Sequence, residues 1–434
     1  MSIILTLCIV SDMLCKMEAD LMVGCIDRPE YIKRLIDYKD KDVVKIVTGV
    51  RRCGKSTLLD LYKAHLLSCG VPDKQIIKMN LESLRYHKMT NYLSFYEYVS
   101  NKVTLGQKNY LIFDEIQVVQ HWEKAIESFR LDYDVDIYIT GSNAYMLSSE
   151  FATLLSGRYV EIRVLPLSFK EFLTFHEFAP NAPVEDKFQK YLQFGGMPVL
   201  RQFQFDETLS FETLEGIYST VILRDVLERN KVADHTLLHK LILFLGDSIG
   251  SLTSPNNIGN VLSAEGEIPN PKKKSGQGLA GRTVDKYVQM LRDAFVFYPV
   301  GRYDVKGKQL LKTLEKNYIV DLGLRNMLLG FRNTNRGRLL ENVVYLELLR
   351  RNYRVYVGKV GDTEIDFVAE KPAQKVYLQV TETMLGESVR ERELRPLMTI
   401  RDNYEKIVLS MDRAYIKDHE GIHFQNIIDF LLSE

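Results

Sequence analysis

The sequence predicts an α/β protein whose first domain is a parallel β-sheet covered by helices on both faces. Short β-branched runs alternate with helical stretches from residue 27 to about 170, and the strand runs are largely apolar. Strands that are buried on both faces of a parallel sheet read as apolar runs of this kind. The length also indicates several domains, since 434 residues correspond to about three domains of ordinary size.

The order of elements divides the rest of the chain. In the first domain, strands are expected at 43–47, 75–79, 110–113, 135–139 and 159–164. The pattern turns helical from about 171 to 250, and a polar stretch rich in Pro and Gly follows. An amphipathic helix from Thr283, a strand-like run at 295–300 and a hairpin turn at 305–308 match the order of a winged helix. A last unit has a helix from 336, strands at 353–358, 363–369 and 375–381, a helix at 390–402, a strand at 406–409 and a terminal helix.

Composition and charge indicate a globular chain. Hydrophobic residues make up 46% of the sequence and charged residues 26%, which excludes a disordered, collagen-like or disulfide-stapled chain. The 57 Lys and Arg residues equal the 57 Asp and Glu residues, so the formal net charge is zero. A zero net charge removes the argument for nucleic-acid binding through a basic whole-molecule field, but it leaves a local basic face open.

The cysteines and the start of the chain bear on location. The five cysteines are Cys8, Cys15, Cys25, Cys53 and Cys69. They lack the paired spacing of a zinc site, and this usage is typical of a reducing compartment. The apolar start has no basic flank, and no stretch is long enough to cross a membrane. We therefore expect a cytoplasmic protein with no membrane contact, in which residues 1–26 form a poorly ordered N-terminal extension.

The sharpest motif is the segment Gly49-Val50-Arg51-Arg52-Cys53-Gly54-Lys55-Ser56, which fits G-x-x-x-x-G-K-[ST] between a predicted strand and a predicted helix. Glycines let the backbone wrap phosphates with inward-facing N–H groups, and the helix adds its positive dipole end. Lys55 would reach the β and γ oxygens, and Ser56 would ligate Mg²⁺. These residues, with Thr57, are the predicted binding site for ATP and Mg²⁺. The alternative is a glycine-rich structural turn.

Two acids follow the strand at 110–113. Asp114 and Glu115 come at its carboxyl end, which faces the ligand crevice in a doubly wound sheet. We expect Asp114 to hold the Mg²⁺ shell, and Glu115 to orient and polarise the attacking water. A solvated turn is the alternative explanation for two acids at a strand end.

Two further residues are candidate catalytic groups. Asn143, or Ser142 beside it, ends the strand at 135–139 and could hydrogen-bond the γ-phosphate or the water; a simple strand-to-helix cap is the alternative. Arg158 precedes the fifth strand and is a candidate for neutralising transition-state charge, within its own subunit or across an interface. A structural ion pair is the alternative for Arg158.

Taken together, these motifs resemble a prokaryotic AAA-type P-loop ATPase family that usually carries a C-terminal domain of unknown function. The resemblance is carried by the phosphate loop, the Asp114-Glu115 strand, Thr140 to Asn143, Gly157-Arg158 followed by Pro166 to Phe172, Asp321 to Asn326, and Glu341 with Glu364 to Phe367. It implies ATP binding and hydrolysis, a winged helix after the ATPase core, and a trailing domain of restriction-endonuclease-like fold. The pair Arg224-Asp225 also resembles a recurring pair of the family, which implies a salt bridge from the helical lid to the core.

The predicted fold class is accordingly α/β: a parallel P-loop NTPase sheet, then a helical and winged-helix domain, then a restriction-endonuclease-like α/β domain. The expected boundaries are 27–175 for the ATPase core, 176–325 for the helical lid and winged helix, and 326–434 for the endonuclease-like domain, which we expect to be degenerate.

Acids in the last domain follow the order of PD-(D/E)xK nucleases. Glu341 lies on a helix, and Glu364 and Asp366 point to one face of a strand. These three are a candidate second metal site. Position 379 is Gln rather than an acid, and position 381 is Thr rather than Lys. An inactive nuclease-like scaffold, an altered nuclease and a coincidence of fold all stay open.

A local basic set lies between residues 272 and 308. It includes the run Lys272 to Lys274, the helix residues Arg282, Lys286 and Arg292, and the hairpin residues Arg302, Lys306 and Lys308. Such a set is suited to DNA phosphates, although solvated charges on a surface helix give the same pattern. An unidentified protein partner and a homo-oligomer also stay open.

Three functions are compatible with the sequence. The first is Mg²⁺-dependent ATP hydrolysis that drives a conformational switch acting on nucleic acid or a protein partner. The second is a DNA nuclease licensed by ATP and using the C-terminal carboxylates. The third is a nucleotide-binding scaffold without turnover.

Overall fold

The computed structural model describes residues 28–144, 157–230, 232, 234–264, 281–332, 336–413 and 418–433. The run Lys272 to Lys274 and the N-terminal extension predicted for 1–26 lie outside these residues. None of the described helices is long and apolar enough to cross a bilayer.

The first sheet has five parallel strands in the order β2-β3-β4-β1-β5. Its strands are β1 Val44–Thr48, β2 Ile76–Asn80, β3 Asn109–Asp114, β4 Val135–Gly141 and β5 Tyr159–Arg163. The helices that connect or flank them are α1 Pro29–Asp37, α2 Lys55–Ser68, α3 Tyr92–Ser100 and α4 Trp122–Asp132. The parallel α/β sheet predicted from the sequence is therefore confirmed.

Apolar side chains on both faces hold this sheet in place. Ile46 of β1 packs in one buried cluster with Phe95 of α3 and Phe129 of α4. Val47, the next residue, packs in a second cluster with Leu59 of α2. Because consecutive strand residues point to opposite faces, the neighbouring apolar residues Ile46 and Val47 need helices on both sides.

A helical segment follows the sheet. Its helices are α5 Phe169–Phe175, α6 Val184–Phe194, α7 Glu207–Thr220, α8 His235–Asp247, α9 Pro255–Ala264 and α10 Gly281–Asp293. A short 3-10 turn spans Pro198–Phe203, and α7 runs on into a π-helical stretch at Val221–Glu228. A capping box starts α5, in which Ser168 and Glu171 each bond the other's backbone N–H. That cap fixes the point where the chain leaves the sheet.

The second sheet has eight strands in the order β12-β13-β11-β10-β9-β8-β6-β7. These are β6 Phe297–Asp304, β7 Gln309–Ile319, β8 Arg354–Val360, β9 Thr363–Lys371, β10 Gln374–Val380, β11 Glu405–Ser410, β12 Asp418–His419 and β13 Ile422–Asn426. Its helices are α11 Leu322–Leu329, α12 Arg336–Arg350, α13 Glu387–Met398 and α14 Ile427–Leu432. Side chains from one face join the large apolar cluster of the helical segment, and those of the other face pack with α13.

The hairpin predicted as the wing of a winged helix is part of this second sheet. Residues 302–304 of β6 pair in parallel with residues 357–359 of β8, while β6 also pairs with β7. The predicted boundary between 325 and 326 therefore falls between β7 and β8 of one continuous sheet. The local pattern identified the hairpin correctly, but it carries no information on which sheet the hairpin joins.

Candidate functional site

The phosphate loop connects β1 to α2, as its motif predicts. Gly49 has φ +144°, and a Cβ atom there would lie 2.1 Å from the Val164 carbonyl oxygen, so only glycine fits. Gly54 has φ +100° and is the N-cap of α2. The first turn of α2, with the exposed Ser56, therefore directs its free N–H groups out of the sheet edge.

Lys55 is held inside the loop by its own backbone. Its ammonium donates to the carbonyl oxygens of Gly49 at 2.9 Å and Val50 at 3.1 Å. The residue is only 4% exposed. The cation is therefore fixed at the inner surface of the loop, where it adds to the positive end of the α2 dipole.

The acids at the end of β3 are buried and oriented by the neighbouring strands. Asp114 accepts from the Thr140 hydroxyl at 2.5 Å and from the Asn80 amide at 3.1 Å. The Thr140 hydroxyl oxygen also accepts from the Glu115 backbone N–H at 2.9 Å. Because β4 lies between β1 and β3, Thr140 of β4 is the residue that fixes both acids beside the phosphate loop.

Glu115 has a backbone conformation that is uncommon for a residue with a side chain. Its φ is +53° and ψ +49°, in the left-handed region. Its carboxylate accepts a hydrogen bond from the side-chain amide of Gln117. Conformations of this kind persist only where surrounding contacts enforce them, and they are concentrated at functional sites. The turn re-aims the Glu115 carboxylate after the strand ends.

The helical segment is tied to the phosphate loop through Asp225, which is 1% exposed. Its carboxylate accepts from Arg51 Nε at 2.8 Å and from the Ser142 hydroxyl at 3.1 Å. Although burial opposes the charge of Arg51, the carboxylates of Asp225, Glu115 and Glu82 raise its pKa. The salt bridge expected between the Arg224-Asp225 pair and the core is present, and Asp225 forms it with Arg51 of the phosphate loop.

Arg28 supports the loop from behind, and sequence reasoning did not single it out. Its guanidinium forms a two-pronged ion pair with Glu171 at 2.7 and 2.9 Å. It also donates to the carbonyl oxygens of Cys53 at 3.0 Å and Leu165 at 2.9 Å. Burial works against the charge, but Glu171 more than compensates and the pKa of Arg28 is raised. In the sequence, Arg28 is marked only by its place at the start of the alternating strand and helix pattern.

One cavity of about 630 Å³ is lined by residues of the phosphate loop and by the two acids after β3, whereas Asn143 does not line it. Lys55, Ser56, Thr57, Asp114 and Glu115 line it. The helical segment supplies the facing wall, made of Phe175, Pro198, Val199, Arg201, Thr220 and Arg224. Small-molecule sites commonly measure about 300–1,000 Å³ and combine an apolar wall with a few convergent polar groups. The cavity thus has the size and the lining for a nucleotide, and Arg201 and Arg224 are cations that the sequence analysis did not assign to it.

Comparison with known proteins identifies this part of the chain. Residues 41–173 match the AAA domain family, and residues 185–335 match a domain of unknown function, DUF8612. A Haemophilus influenzae protein described as uncharacterized is 39% identical over 409 residues, covering 94% of this chain and 98% of the relative. The chain belongs to the same family as that protein. It carries an AAA-type ATPase domain.

More distant similarities extend over most of the chain. An uncharacterized protein of Methanocaldococcus jannaschii is 28% identical over 393 residues, covering 86% of this chain and 81% of the relative. Among solved structures, the Walker-type ATPase PABY2304 of Pyrococcus abyssi is 15% identical with a TM-score of 0.48, covering 70% of this chain and 95% of that one.

Arg158, for which a role within its own subunit or across an interface was expected, does not line the 630 Å³ cavity of the AAA domain, called the AAA cavity below. Its carbonyl oxygen accepts from the Val44 N–H at 2.9 Å, at the amino end of β1, and its guanidinium lies 3.8 Å from Asp42. The phosphate loop leaves the opposite end of β1, roughly 13 Å away at ~3.3 Å per residue. Arg158 precedes β5, and the amino ends of parallel strands share the edge opposite the loop, so Arg158 lies far from the phosphate loop of its own chain. Asn143, in contrast, is buried at the carboxyl end of β4, on the loop side.

A second cavity of about 720 Å³ lies between the AAA domain and the C-terminal sheet. Arg34 of α1, Arg163 of β5, Arg351 after α12 and Gln374 of β10 contribute to its lining. None of the residues 49–57 line it. Its cations are largely engaged: Arg163 pairs with Glu161 at 3.0 Å, and Arg351 with Glu347 at 2.8 Å.

The three C-terminal acids lie together as predicted, but around a lysine. The Lys316 ammonium lies 2.7 Å from Glu341, 2.8 Å from Glu364 and 3.3 Å from Asp366. Burial, opposed by Lys316 and supported by Asp366, raises the pKa of Glu341 to about 7. Within the described ranges, no group of three or more His, Cys, Asp or Glu side chains is arranged to hold a metal ion. Lys316 was missed because it lies on the hairpin that had been assigned to a wing.

Proposed function

We propose that the protein binds ATP with Mg²⁺ in the AAA cavity and hydrolyses it, and that the nucleotide state moves the helical segment against the AAA domain. The main support for this proposal is that three groups of residues line one cavity. The phosphate loop, the acids after β3 and the arginines of the helical segment all face the same space.

The loop residues are the proposed phosphate site. The bare Cα of Gly49 and the first turn of α2 leave backbone N–H groups available for phosphate oxygens. Lys55, held by two carbonyl groups on the inner side of the loop, would exchange those contacts for β and γ oxygens. Ser56 and Asp114 would hold Mg²⁺, which supplies charge neutralisation on the phosphate oxygens.

Glu115 is the proposed group that orients water. Its backbone is pinned by Thr140 and its carboxylate by Gln117, so its position is set before substrate arrives. A carboxylate in this position can accept a proton from water as it attacks. Asn143 at the end of β4 is the proposed polar group for the γ-phosphate.

Arginines of the same chain or of a second subunit could neutralise the negative charge that develops in the transition state. Arg201 and Arg224 line the cavity within the same chain. Arg158 can take this role only across a subunit interface, because it lies at the opposite edge of its own sheet. Elution volume with and without nucleotide tests whether such an interface forms.

The switch would run through Asp225. This carboxylate bridges Arg51 of the loop and Ser142 at the end of β4, and Glu82 contacts both Arg51 at 3.3 Å and Arg224 at 3.4 Å. A triphosphate in the loop would compete for Arg51 with these carboxylates. Loss of the ion pair would release the π-helical stretch that holds Asp225.

Glu115→Gln tests the proposed hydrolysis. The amide keeps the shape of the side chain but cannot accept the proton, so ATP binding should persist while turnover falls by about 10²–10⁴. The readouts are phosphate release and the affinity for ATP with Mg²⁺. Glu127→Gln, on the half-buried surface of α4, is the matched control. If Glu115→Gln binds ATP and its turnover is unchanged, Glu115 does not orient the water. If the parent chain binds ATP without turnover, the result favours a nucleotide-binding scaffold.

Nucleic acid is the candidate macromolecular partner for the exposed basic residues of α10 and the hairpin turn. Arg282 and Lys286 on α10, and Lys306 and Lys308 at the hairpin turn, are exposed. Arg292 is engaged with Glu315 and with Asn317. Each phosphate contact releases counterions, so duplex binding through this set should weaken steeply as salt rises. Binding that is equal at low and high salt would exclude it.

A further inference from the structure

The carboxylate cluster of the second sheet has a cation of its own at its centre. Lys316 on β7 directs its ammonium to Glu341 on α12 and to Glu364 and Asp366 on β9, at 2.7, 2.8 and 3.3 Å. The ammonium donates hydrogen bonds to Glu341 and Asp366 and forms an ion pair with Glu364. The side chain of Lys316 is only 4% exposed, so these acids are its partners in place of water.

The other polar groups around the cluster are already committed. Asp366 accepts from the Val380 N–H at 2.9 Å with its second oxygen. Glu341 accepts from the Tyr318 hydroxyl at 2.5 Å. Gln379, at the position where a metal-ligating acid would be expected, donates to Glu393 at 2.6 Å. The cluster is therefore hydrogen-bonded as an internal network.

The chain after α8 covers the same point. Gly250 lies so close that an added Cβ would be 3.0 Å from an oxygen of Glu341. Gly250 donates to the Asn317 carbonyl at 3.2 Å, and Thr253 pairs with Glu315 of β7. The segment that closes over Glu341 is thus pinned to the strand that carries Lys316.

We propose that the Lys316 ammonium takes the place of a divalent cation among these three carboxylates, so that the C-terminal sheet carries a metal-independent cluster. A Mg²⁺ ion would need oxygen ligands at about 2.0–2.1 Å, at the point where the ammonium already lies. Two positive charges a few ångströms apart in a buried site repel each other strongly. Lysine and metal therefore exclude each other at this position.

The proposal predicts that removing the lysine creates a metal site. Lys316→Met keeps an unbranched side chain but leaves three carboxylates without their cation, which is unfavourable because Glu341 and Asp366 are largely buried and Glu364 is only half-buried. A divalent cation should then bind and stabilise the variant, since a ligand that binds only the folded state raises its melting temperature.

The experiment is a thermal melt of the full chain without nucleotide, in buffer with EDTA and with increasing Mn²⁺ or Mg²⁺. We expect saturating metal to raise the melting temperature of Lys316→Met by about 5 °C more than that of the parent chain. The parent chain also reports any effect of metal at the AAA cavity, which both proteins share.

Lys316→Met/Glu341→Gln is the matched control. It has the same net charge as the parent cluster but lacks one carboxylate, so it should regain stability in EDTA and lose the response to metal. Should Lys316→Met fail to fold, Glu364→Gln and the parent chain are compared instead, and metal should change the melting temperatures of both by the same amount. A metal response of the parent chain that Glu364→Gln abolishes would overturn the proposal, as would metal-dependent DNA cleavage that Asp366→Ala abolishes.

Discussion

At the residue scale, the site is built from side chains that are fixed before any ligand binds. Lys55 is held by two carbonyl groups of its own loop, and Asp114 and Glu115 are both tied to Thr140. Preorganised charges of this kind stabilise developing charge without having to reorient during the reaction. Substitutions that change a single atom of these side chains should therefore have large effects on turnover.

Buried His176 gives a residue-scale prediction about pH. It lies among Phe172, Phe178 and Phe205 in the helical segment. Burial, with a smaller effect of Arg201, lowers its pKa to about 4. The folded protein thus disfavours the protonated ring, so the stability contributed by the neutral ring is present above pH ~6.5 and is lost as pH falls toward ~4.

Between pH 7 and pH 5 this group alone should cost about 2 kcal/mol of unfolding free energy. His176→Phe should reduce that loss in urea melts at the two pH values. His239→Gln, which removes an exposed histidine of α8, is the control. An identical pH dependence in His176→Phe and the parent chain would contradict the assignment.

At the element scale, the turn between β1 and α2 depends on glycine. Gly49→Ala would place a Cβ 2.1 Å from the Val164 carbonyl oxygen at a φ of +144°. The clash is with backbone, so β5 or the loop must move. We expect a loss of at least ~2 kcal/mol in unfolding free energy and weaker nucleotide binding.

Gly216→Ala is the control for this change. Gly216 is exposed within α7, and nothing lies within 4 Å of an added Cβ. The same substitution there should stabilise the protein by about 0.5–1 kcal/mol because alanine favours helix. Urea melts of the two variants give opposite signs if the loop geometry is as described.

The elements and site residues that could be predicted from the sequence are those encoded by neighbouring residues. The phosphate loop and the two acids at the end of β3 are each defined by residues adjacent in sequence. The alternation of strands and helices indicated a parallel sheet, in which both lie at the edge formed by the carboxyl ends of the strands. Arg28 and Lys316 were missed because their partners are 143 and 25–50 residues away. The hairpin turn at 305–308 was predicted, yet the pairing of β6 with β8 depends on contacts that no local pattern encodes.

At the scale of the whole molecule, the AAA domain, the helical segment and the C-terminal sheet share one apolar cluster. Val47 of β1, Leu241 of α8 and Phe367 of β9 all belong to it. The ion pair of Arg51 and Asp225 crosses between the first two units at the nucleotide cavity. This ion pair is a contact between the two units that a bound nucleotide can reach, so we expect nucleotide to act on the helical segment through it.

Asp225→Asn tests that control. The amide keeps the shape but leaves Arg51 without its buried counter-ion, so the segment should lose about 2–3 kcal/mol of local stability. Hydrogen exchange of residues 221–228 should become faster, and its dependence on nucleotide should shrink. Glu212→Gln, at an exposed position of α7, should leave the exchange unchanged. Equal exchange in Asp225→Asn and the parent chain would rule out the link.

The central claim is that residues 49–57, with Asp114, capture the triphosphate of ATP, and a binding titration tests it most directly. The parent chain should bind ATP with Mg²⁺, and Lys55→Met should bind about 100-fold more weakly because a charge-assisted contact to phosphate is lost. Lys63→Met, which removes a surface cation of the same helix, should bind like the parent chain. Equal affinity of Lys55→Met and the parent chain, or no binding by the parent chain, would contradict the account.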